Sequence, residues 1–214
     1  MNSKLILWDF DGTLADTLQL VLDTYNQIAD SCGFKQVDDL KSVRDFGMRD
    51  FLKSHGIPAW RVPQLFAQSL TLTNKLIGTV PFFAGITDML ADLQSRGFRH
   101  GIVSSNSTTN IQSCLEFNHA TTLFDHVCGT SRLTGKERRI RKAMKQFQVD
   151  SADCLYIGDE IRDVEAAAAA GLPIGCVSWG LNSVDVLQVH FPIWIAGSPA
   201  ELPDLIQQHF EQDA

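Results

Sequence analysis

The sequence predicts an α/β fold, a parallel sheet with helices on both faces that is interrupted by a small inserted helical domain, and three observations carry that expectation. The apolar run Leu5, Ile6, Leu7, Trp8 stops abruptly at two carboxylates, Asp9 and Asp11, placed two positions apart. From about residue 82 onward, short apolar runs alternate with stretches of helical periodicity, the order that builds a parallel sheet covered on both sides. Between residues 16 and 81, helical-looking pieces follow one another with no convincing alternating strand.

Taken in order, Leu5 to Trp8 is continuous apolar sequence of the kind found in a strand buried on both faces, and Gly12 ends it. Leu18, Val21, Leu22, Tyr25, Ile28 and Ala29 then recur at three- and four-residue steps, the pattern of a helix with one buried face, closed by Gly33. Gly47, Gly56, Pro58 and Pro63 break the next stretch, up to about Val80, into short pieces. Pro81-Phe82-Phe83-Ala84-Gly85 returns the chain to the core, and Ile86, Met89, Leu90 and Leu93 mark a second amphipathic helix that ends at Gly97. The remaining predicted strands are His100–Ser104, Phe124–Cys128, Cys154–Ile157, Ile174–Val177 and Ile193–Ile195. Helical pattern covers Lys136–Phe147 and Asp163–Ala170. The core is therefore expected at 1–15 and 82–214, with the helical insertion at 16–81.

The chain of 214 residues is 44% hydrophobic, enough for one sizeable core or for a core with a small inserted domain. Its 18 basic and 25 acidic residues leave a net charge of −7, which argues against nucleic acid or an anionic membrane surface as the main partner. The apolar run after Lys4 is too short for a signal peptide's apolar region, and no later stretch approaches a membrane span, so a cytoplasmic protein is expected. The five cysteines, Cys32, Cys114, Cys128, Cys154 and Cys176, are scattered and never spaced as Cys-x-x-Cys, as suits buried structural thiols in a reducing compartment. No motif sets a histidine beside one of them, and the six histidines show no ligand spacing.

The chemistry concentrates at strand ends, where open α/β sheets bind their ligands. Asp9 and Asp11 at such an end would repel each other unless a cation, a shared proton or a substrate divides their roles, and a hard divalent ion such as Mg²⁺ takes oxygen ligands of this kind. Ser105 comes directly after the His100–Ser104 strand and brings a hydroxyl donor to the same crevice, with Ser104 as the alternative shifted by one; either would serve equally as a helix cap. Lys136, at the start of a helix, can screen carboxylates and hold a phosphoryl group, although a lysine in that position is commonly just solvated. Gly135-Lys136 does not belong to a P-loop, because Thr130 stands where that pattern needs Gly and Glu137 where it needs Ser or Thr. Asp159 directly succeeds a strand and Asp163 comes four residues later, near a helix start whose dipole alone would account for Asp163 but not for Asp159.

These stretches together resemble the haloacid dehalogenase-like superfamily, which is mostly phosphatases. Asp9-Phe10-Asp11-Gly12-Thr13-Leu14 resembles its first motif, D-x-D-G-T-L, and Ile102-Val103-Ser104-Ser105-Asn106 its second, with Ser105 at the phosphate-binding position and Asn106 beside it. Tyr156 to Asp163 resembles the fourth motif, G-D-x-x-x-D, and Val177-Ser178-Trp179-Gly180-Leu181-Asn182 resembles the region after that motif in phosphoglycolate-phosphatase-like members. Lys136 stands near the family's lysine, in Leu133-Thr134-Gly135-Lys136-Glu137, with Glu137 where Pro is common and Arg138, Arg139, Arg141 and Lys142 close by.

The resemblance implies a Rossmann-like core with a small helical cap, and a Mg²⁺-dependent phosphomonoesterase acting on a small phosphorylated metabolite. It implies Asp9 as nucleophile, Asp11 as general acid and base, and Ser105, Asn106 and Lys136 around the phosphoryl group. Asp9, Asp11, Asp159 and Asp163 are the implied metal set, with Glu160 able to share that duty. A dehalogenase is disfavoured because Asp11 can protonate an alkoxide leaving group. A sugar-phosphate mutase and a non-catalytic module that keeps the fold are the alternatives. Specificity would lie in the cap, where Arg44, Arg49 and Lys53 either meet a second anionic group or are solvated surface charges. The oligomeric state is not readable.

Overall fold

The computed structural model describes residues 4–42, 44–45, 48–74, 76–130 and 135–212, so Gly47, Leu133 and Thr134 of the sequence reading lie outside the described residues. Strand β1 (Leu5–Trp8) is followed by helices α1 (Leu18–Cys32), α2 (Met48–Ser54) and α3 (Val62–Thr73). The chain continues through α4 (Ile86–Ser95), β2 (Arg99–Val103), α5 (Thr108–Phe117), β3 (His126–Cys128), α6 (Lys136–Phe147) and β4 (Cys154–Gly158). It closes with α7 (Ile161–Ala170), β5 (Ile174–Val177), α8 (Val184–Gln188), β6 (Trp194–Ala196) and α9 (Leu202–Gln212).

All the pairings in the six-stranded sheet are parallel, in the order β3-β2-β1-β4-β5-β6. β1 is central, and its neighbours β2 and β4 lead the chain outward in opposite directions, so the crevice at its carboxyl end is the switch point of the sheet. Its alternating side chains feed two cores. Ile6 and Trp8 join Ile86, Leu90, Ile111, Leu115, Ile206 and Phe210 under α4, α5 and α9. Leu5 and Leu7 join Ile140, Ala143, Phe147, Val164, Ala167 and Leu187 under α6, α7 and α8. A strand clamped in this way has no polar side chain until it ends, which is why its first carboxylate marks the crevice.

The fold is the doubly covered parallel α/β sheet that the sequence predicts, with differences at the margins. Strand β3 begins at His126 rather than Phe124, β6 lies one residue later than predicted, and β2 stops at Val103, leaving both Ser104 and Ser105 beyond it. Helices α5, α8 and α9 were not anticipated. The apolar face of α5 is only Ile111, Cys114 and Leu115, behind a polar first turn capped by Ser107, whose Oγ accepts from Asn110 N at 3.2 Å. No described helix is long and apolar enough to cross a membrane. The cysteines are free thiols, and burial pushes Cys114 and Cys154 up to about 12 and moves Cys176 the same way.

One buried polar pair in the core makes stability depend on pH. Trp8 Nε1 donates to His100 Nδ1 at 3.1 Å, so the imidazole must keep Nδ1 unprotonated to accept. Burial lowers the His100 pKa to about 4. In the unfolded chain the ring takes up a proton near 6.5, so between those values the unfolded state binds more protons, and stability is full above about 6.5 and falls as pH drops toward 4. The contribution is on the order of 3 kcal/mol. Urea midpoints measured from pH 8 to pH 4 are expected to fall less steeply in His100→Asn than in wild type; parallel curves would mean that the ring is not held neutral.

Candidate active site

The site begins where β1 runs out. Asp9 N donates to Ile157 O at 2.8 Å, which extends the pairing with β4 by one residue and holds the Asp9 carboxylate at the sheet edge with only 5% of the residue exposed. Phe10 turns into the core, so Asp9 and Asp11 share the cavity side. The succeeding turn is closed by bonds from Leu14 N and Ala15 N to Phe10 O, both 3.0 Å, and needs φ +78° at Gly12.

Asp159, at the end of the neighbouring strand β4, is completely buried. Its Oδ1 accepts from Thr13 Oγ1 at 2.7 Å and its Oδ2 from Leu181 N at 2.7 Å. Two glycine backbones press on it: a Cβ at Gly12 would lie 2.5 Å from Asp159 Oδ2, and one at Gly180 would lie 2.1 Å from Asp159 Cβ. No other residue fits at either position without displacing the carboxylate.

Asp163, on the first turn of α7, accepts from Asp159 N at 3.2 Å and Glu160 N at 3.1 Å through Oδ2, while its Oδ1 receives Lys136 Nζ. The same ammonium lies 2.9 Å from Asp9 Oδ1. Lys136 thus joins β1 to α7 across the mouth of the sheet, with 13% of its side chain exposed. Glu160 is paired with Arg162, 2.6 Å between Oε2 and Nη2, and stands outside the carboxylate group.

Oxygen atoms of Asp9, Asp159 and Asp163 all lie within 4.8 Å of one another. Burial raises Asp9 to about 7, helped by the negative charge of Asp163 and opposed by Lys136. Burial likewise raises Asp159 well above the carboxylate range, with Glu160 and Asp163 adding to it. For Lys136, burial disfavours the charged form, but Asp163 and Asp9 outweigh it and the ammonium is held firmly protonated. Ionised together, the three buried carboxylates would outweigh the one ammonium in a place that water does not screen, which is why Asp9 and Asp159 hold their protons to higher pH. A hard divalent cation with oxygen ligands fits that deficit, and the donor set offers nothing softer.

Asp11 stands apart from this group. Both of its oxygens accept from Asn106 Nδ2, at 3.1 and 3.2 Å. Asn106 is itself fixed, because its Oδ1 accepts from Ser107 N at 2.9 Å and Asn110 Nδ2 at 2.8 Å. Burial raises the Asp11 pKa, with Asn106 and Thr17 pulling the other way. Of the two candidate serines, Ser104 is buried and its Oγ accepts from Asn106 N at 3.0 Å, whereas Ser105 lines the cavity with Asp9, Asp11 and Lys136. That cavity has a volume of about 290 Å³, and Arg139 and Arg162 also reach it.

The sequence-predicted site residues therefore gather at one crevice, Asn106 through its bonds to Asp11. Asp9, Asp159, Asp163 and Lys136 meet directly, Ser105 and Asp11 face the cavity, and Asn106 is turned onto Asp11 rather than into the open space. Sequence reasoning gave no role to Thr13, Leu181 or Asn182, which fix Asp159, although Thr13 was visible in the hexapeptide and Leu181 and Asn182 in the stretch after the fourth motif. Arg44, weighed as an anion contact or a surface charge, instead donates to backbone carbonyls of residues 178–182.

Known proteins share this architecture. Over 209 residues, 97% of this chain and 99% of the relative, the chain is 32% identical to a phosphoglycolate phosphatase of Synechococcus elongatus. It is 24% identical to a pyrophosphatase of Bacillus velezensis, covering 92% of this chain and 93% of that one. The crystal structure of a predicted phosphatase from Clostridium acetobutylicum matches with a TM-score of 0.84 at 25% identity, over 97% of this chain and 100% of that chain. The family model described as haloacid dehalogenase-like hydrolase matches residues 6–177, which include Asp9, Asp11, Lys136, Asp159 and Asp163, and the chain belongs to that family.

Proposed function

We propose that this chain is a Mg²⁺-dependent phosphomonoesterase that hydrolyses a small phosphorylated metabolite, phosphoglycolate or a close analogue, through a phosphorylated Asp9. The observation that carries the reading is the meeting of Asp9, Asp159, Asp163 and Lys136 in one buried pocket, two residues from a second carboxylate that is turned away from the group. The near full-length similarity to the cyanobacterial phosphoglycolate phosphatase supports the substrate class. The net charge of −7 supports a small ester rather than nucleic acid as the partner, and free thiols suit a cytoplasmic setting.

In this reading an Asp9 carboxylate oxygen attacks phosphorus in line; the new O–P bond forms as the ester P–O bond breaks, and Asp11 delivers its proton to the departing alkoxide. Water then attacks the aspartyl phosphate, Asp11 takes back a proton, and phosphate leaves with Asp9 restored. Lys136 holds the charge of the transferring group against Asp9, and the Ser105 hydroxyl donates to one of its oxygens. Asn106 keeps the Asp11 carboxylate turned toward the cavity and out of the metal cluster. Asp9, Asp159 and Asp163, with the main-chain carbonyl of Asp11, would hold Mg²⁺, and the ion would supply positive charge to a phosphoryl group that is otherwise repelled by three carboxylates. The helical stretch 16–81 acts as the small cap over the crevice and sets specificity, while 1–15 and 82–214 form the catalytic core.

Inorganic phosphate release from a panel of small phosphate esters, with Mg²⁺ and with chelator, tests the reading. Metal-dependent release with phosphoglycolate among the preferred esters is the expected result. Isomerisation of a sugar phosphate without net phosphate release would point instead to a mutase, and a folded protein that does neither would point to a binding role.

A further inference from the structure

We infer that Arg44, in the helical stretch between β1 and α4, is a positioning residue that sets the orientation of Asp159 through two peptide units, so that the seat of the helical stretch governs metal affinity; this rests on the reading of Asp159 as a metal ligand. Arg44 Nε donates to Leu181 O at 3.0 Å, and its Nη2 lies 2.9 Å from Asn182 O, 3.2 Å from Gly180 O and 3.5 Å from Ser178 O. The contact is reciprocal. Asn182 Nδ2 donates to Arg44 O at 2.5 Å, and Ser183 N donates to Asp45 Oδ1 at 2.9 Å. Carbonyls that converge in this way repel one another unless a cation stands among them, so residues 178–182 keep their shape because the guanidinium is there.

The opposite ends of the same peptide units hold Asp159. The unit joining Gly180 to Leu181 gives its carbonyl to Arg44 and its N–H to Asp159 Oδ2 at 2.7 Å. The next unit, joining Leu181 to Asn182, gives its carbonyl to Arg44 and its N–H to Asp159 O at 3.3 Å. A cation on the carbonyl side polarises each amide and strengthens its N–H as a donor, and two units in parallel fix the direction of both bonds. Asn182 Oδ1 also accepts from Ile161 N at 2.9 Å, and Trp179 Nε1 donates to Thr13 O at 3.1 Å, so the loop reaches the first turn of α7 and the turn after β1 as well. Lifting the helical stretch withdraws Arg44 and frees the loop. By linkage, whatever favours the docked position favours the metal, and the metal favours docking.

Magnesium titrations by calorimetry on the full chain, without substrate, test this. Arg44→Ala is expected to bind Mg²⁺ about tenfold more weakly than wild type, the loss typical of residues that orient a metal ligand. Its thermal midpoint in chelator should fall as well, since four carbonyls lose their donor, and guanidinium ion at a low, non-denaturing concentration should restore part of the Mg²⁺ affinity, which a merely structural contact would not do. Arg44→Lys, which keeps a cation among the carbonyls, should lose less than Arg44→Ala. Unchanged affinity in Arg44→Ala, or equal losses in both variants with no guanidinium rescue, overturns the inference. Asp159→Asn separates the two readings: if it binds Mg²⁺ as wild type does, the metal assignment fails, and if it does not bind while Arg44→Ala binds normally, only the role of Arg44 fails.

Discussion

Replacing Asp9 by Asn is expected to lower phosphate release by a factor of about 10⁴ or more while leaving a folded protein, because an amide oxygen neither attacks phosphorus nor carries the charge that the second step restores. The stability of the variant is as informative as its rate. Asp9 is held near 7 by burial and by Asp163, far above its value in the unfolded chain. Through that interval the folded state binds more protons than the unfolded one, so Asp9 lowers stability progressively as pH rises from about 4 to 7. Metal-free Asp9→Asn lacks that loss and should match or exceed the wild-type midpoint at pH 8 in chelator. Mg²⁺ should stabilise wild type much more than the variant. Circular dichroism, thermal midpoints and a phosphate assay check all three. Substantial retained turnover would remove Asp9 from the chemistry, and an unfolded variant would make it a structural residue.

Lys136→Met is expected to damage both stability and rate. The side chain is similar in length, but it takes the one ammonium out of a buried group in which it contacts Asp163 and lies 2.9 Å from Asp9. Removing one partner of a buried ion pair costs about 3–5 kcal/mol, since the remaining charges stay desolvated without compensation. In chelator the deficit should be largest at pH 8 and shrink below pH 7, where Asp9 takes up a proton; added Mg²⁺ should recover part of it at high pH. Turnover under saturating metal should still fall by about 10³, because the metal does not replace a donor placed beside Asp9. A variant as stable as wild type in chelator at pH 8 would identify Lys136 as a solvated side chain.

How legible each feature is in the sequence depends on how far its contacts reach. A strand buried on both faces is apolar throughout, so Asp9 stands out as its first polar residue, and the same holds for Asp159 after Cys154–Gly158. The alternation of strands and helices then leaves little freedom in the sheet order. Short helices were harder. Ser105 and Asn106, just before α5, drew attention as a ligand site while the helix's three-residue apolar face passed unnoticed, and α8 has only five residues. Long-range polar contacts were beyond reach altogether. Arg44 meets Leu181 across 137 residues of sequence, and an arginine followed by an aspartate in a polar stretch looks like surface. Both Ser104 and Ser105 lie beyond the end of β2, and what separates them, Ser104 turned inward onto Asn106 N and Ser105 toward the cavity, is a tertiary contact the sequence does not show.

The central place of β1 has a consequence for how the protein is made. Leu5 is paired with Arg99 on one side and Cys154 on the other, so during synthesis β1 waits for both its neighbours, which follow it in the chain. At synthesis rates of about 5–20 residues per second, the second neighbour emerges on the order of 10 s after the first strand. During that interval four consecutive large apolar residues have an open backbone edge, which is the kind of segment that chaperones shield and that self-associates when they do not. Asp159, Asp163 and the loop at 178–182 come later still. On the proposed mechanism, a nascent copy halted before them carries the open apolar strand without the residues that hydrolysis needs, so its edge is exposed before it has anything to catalyse.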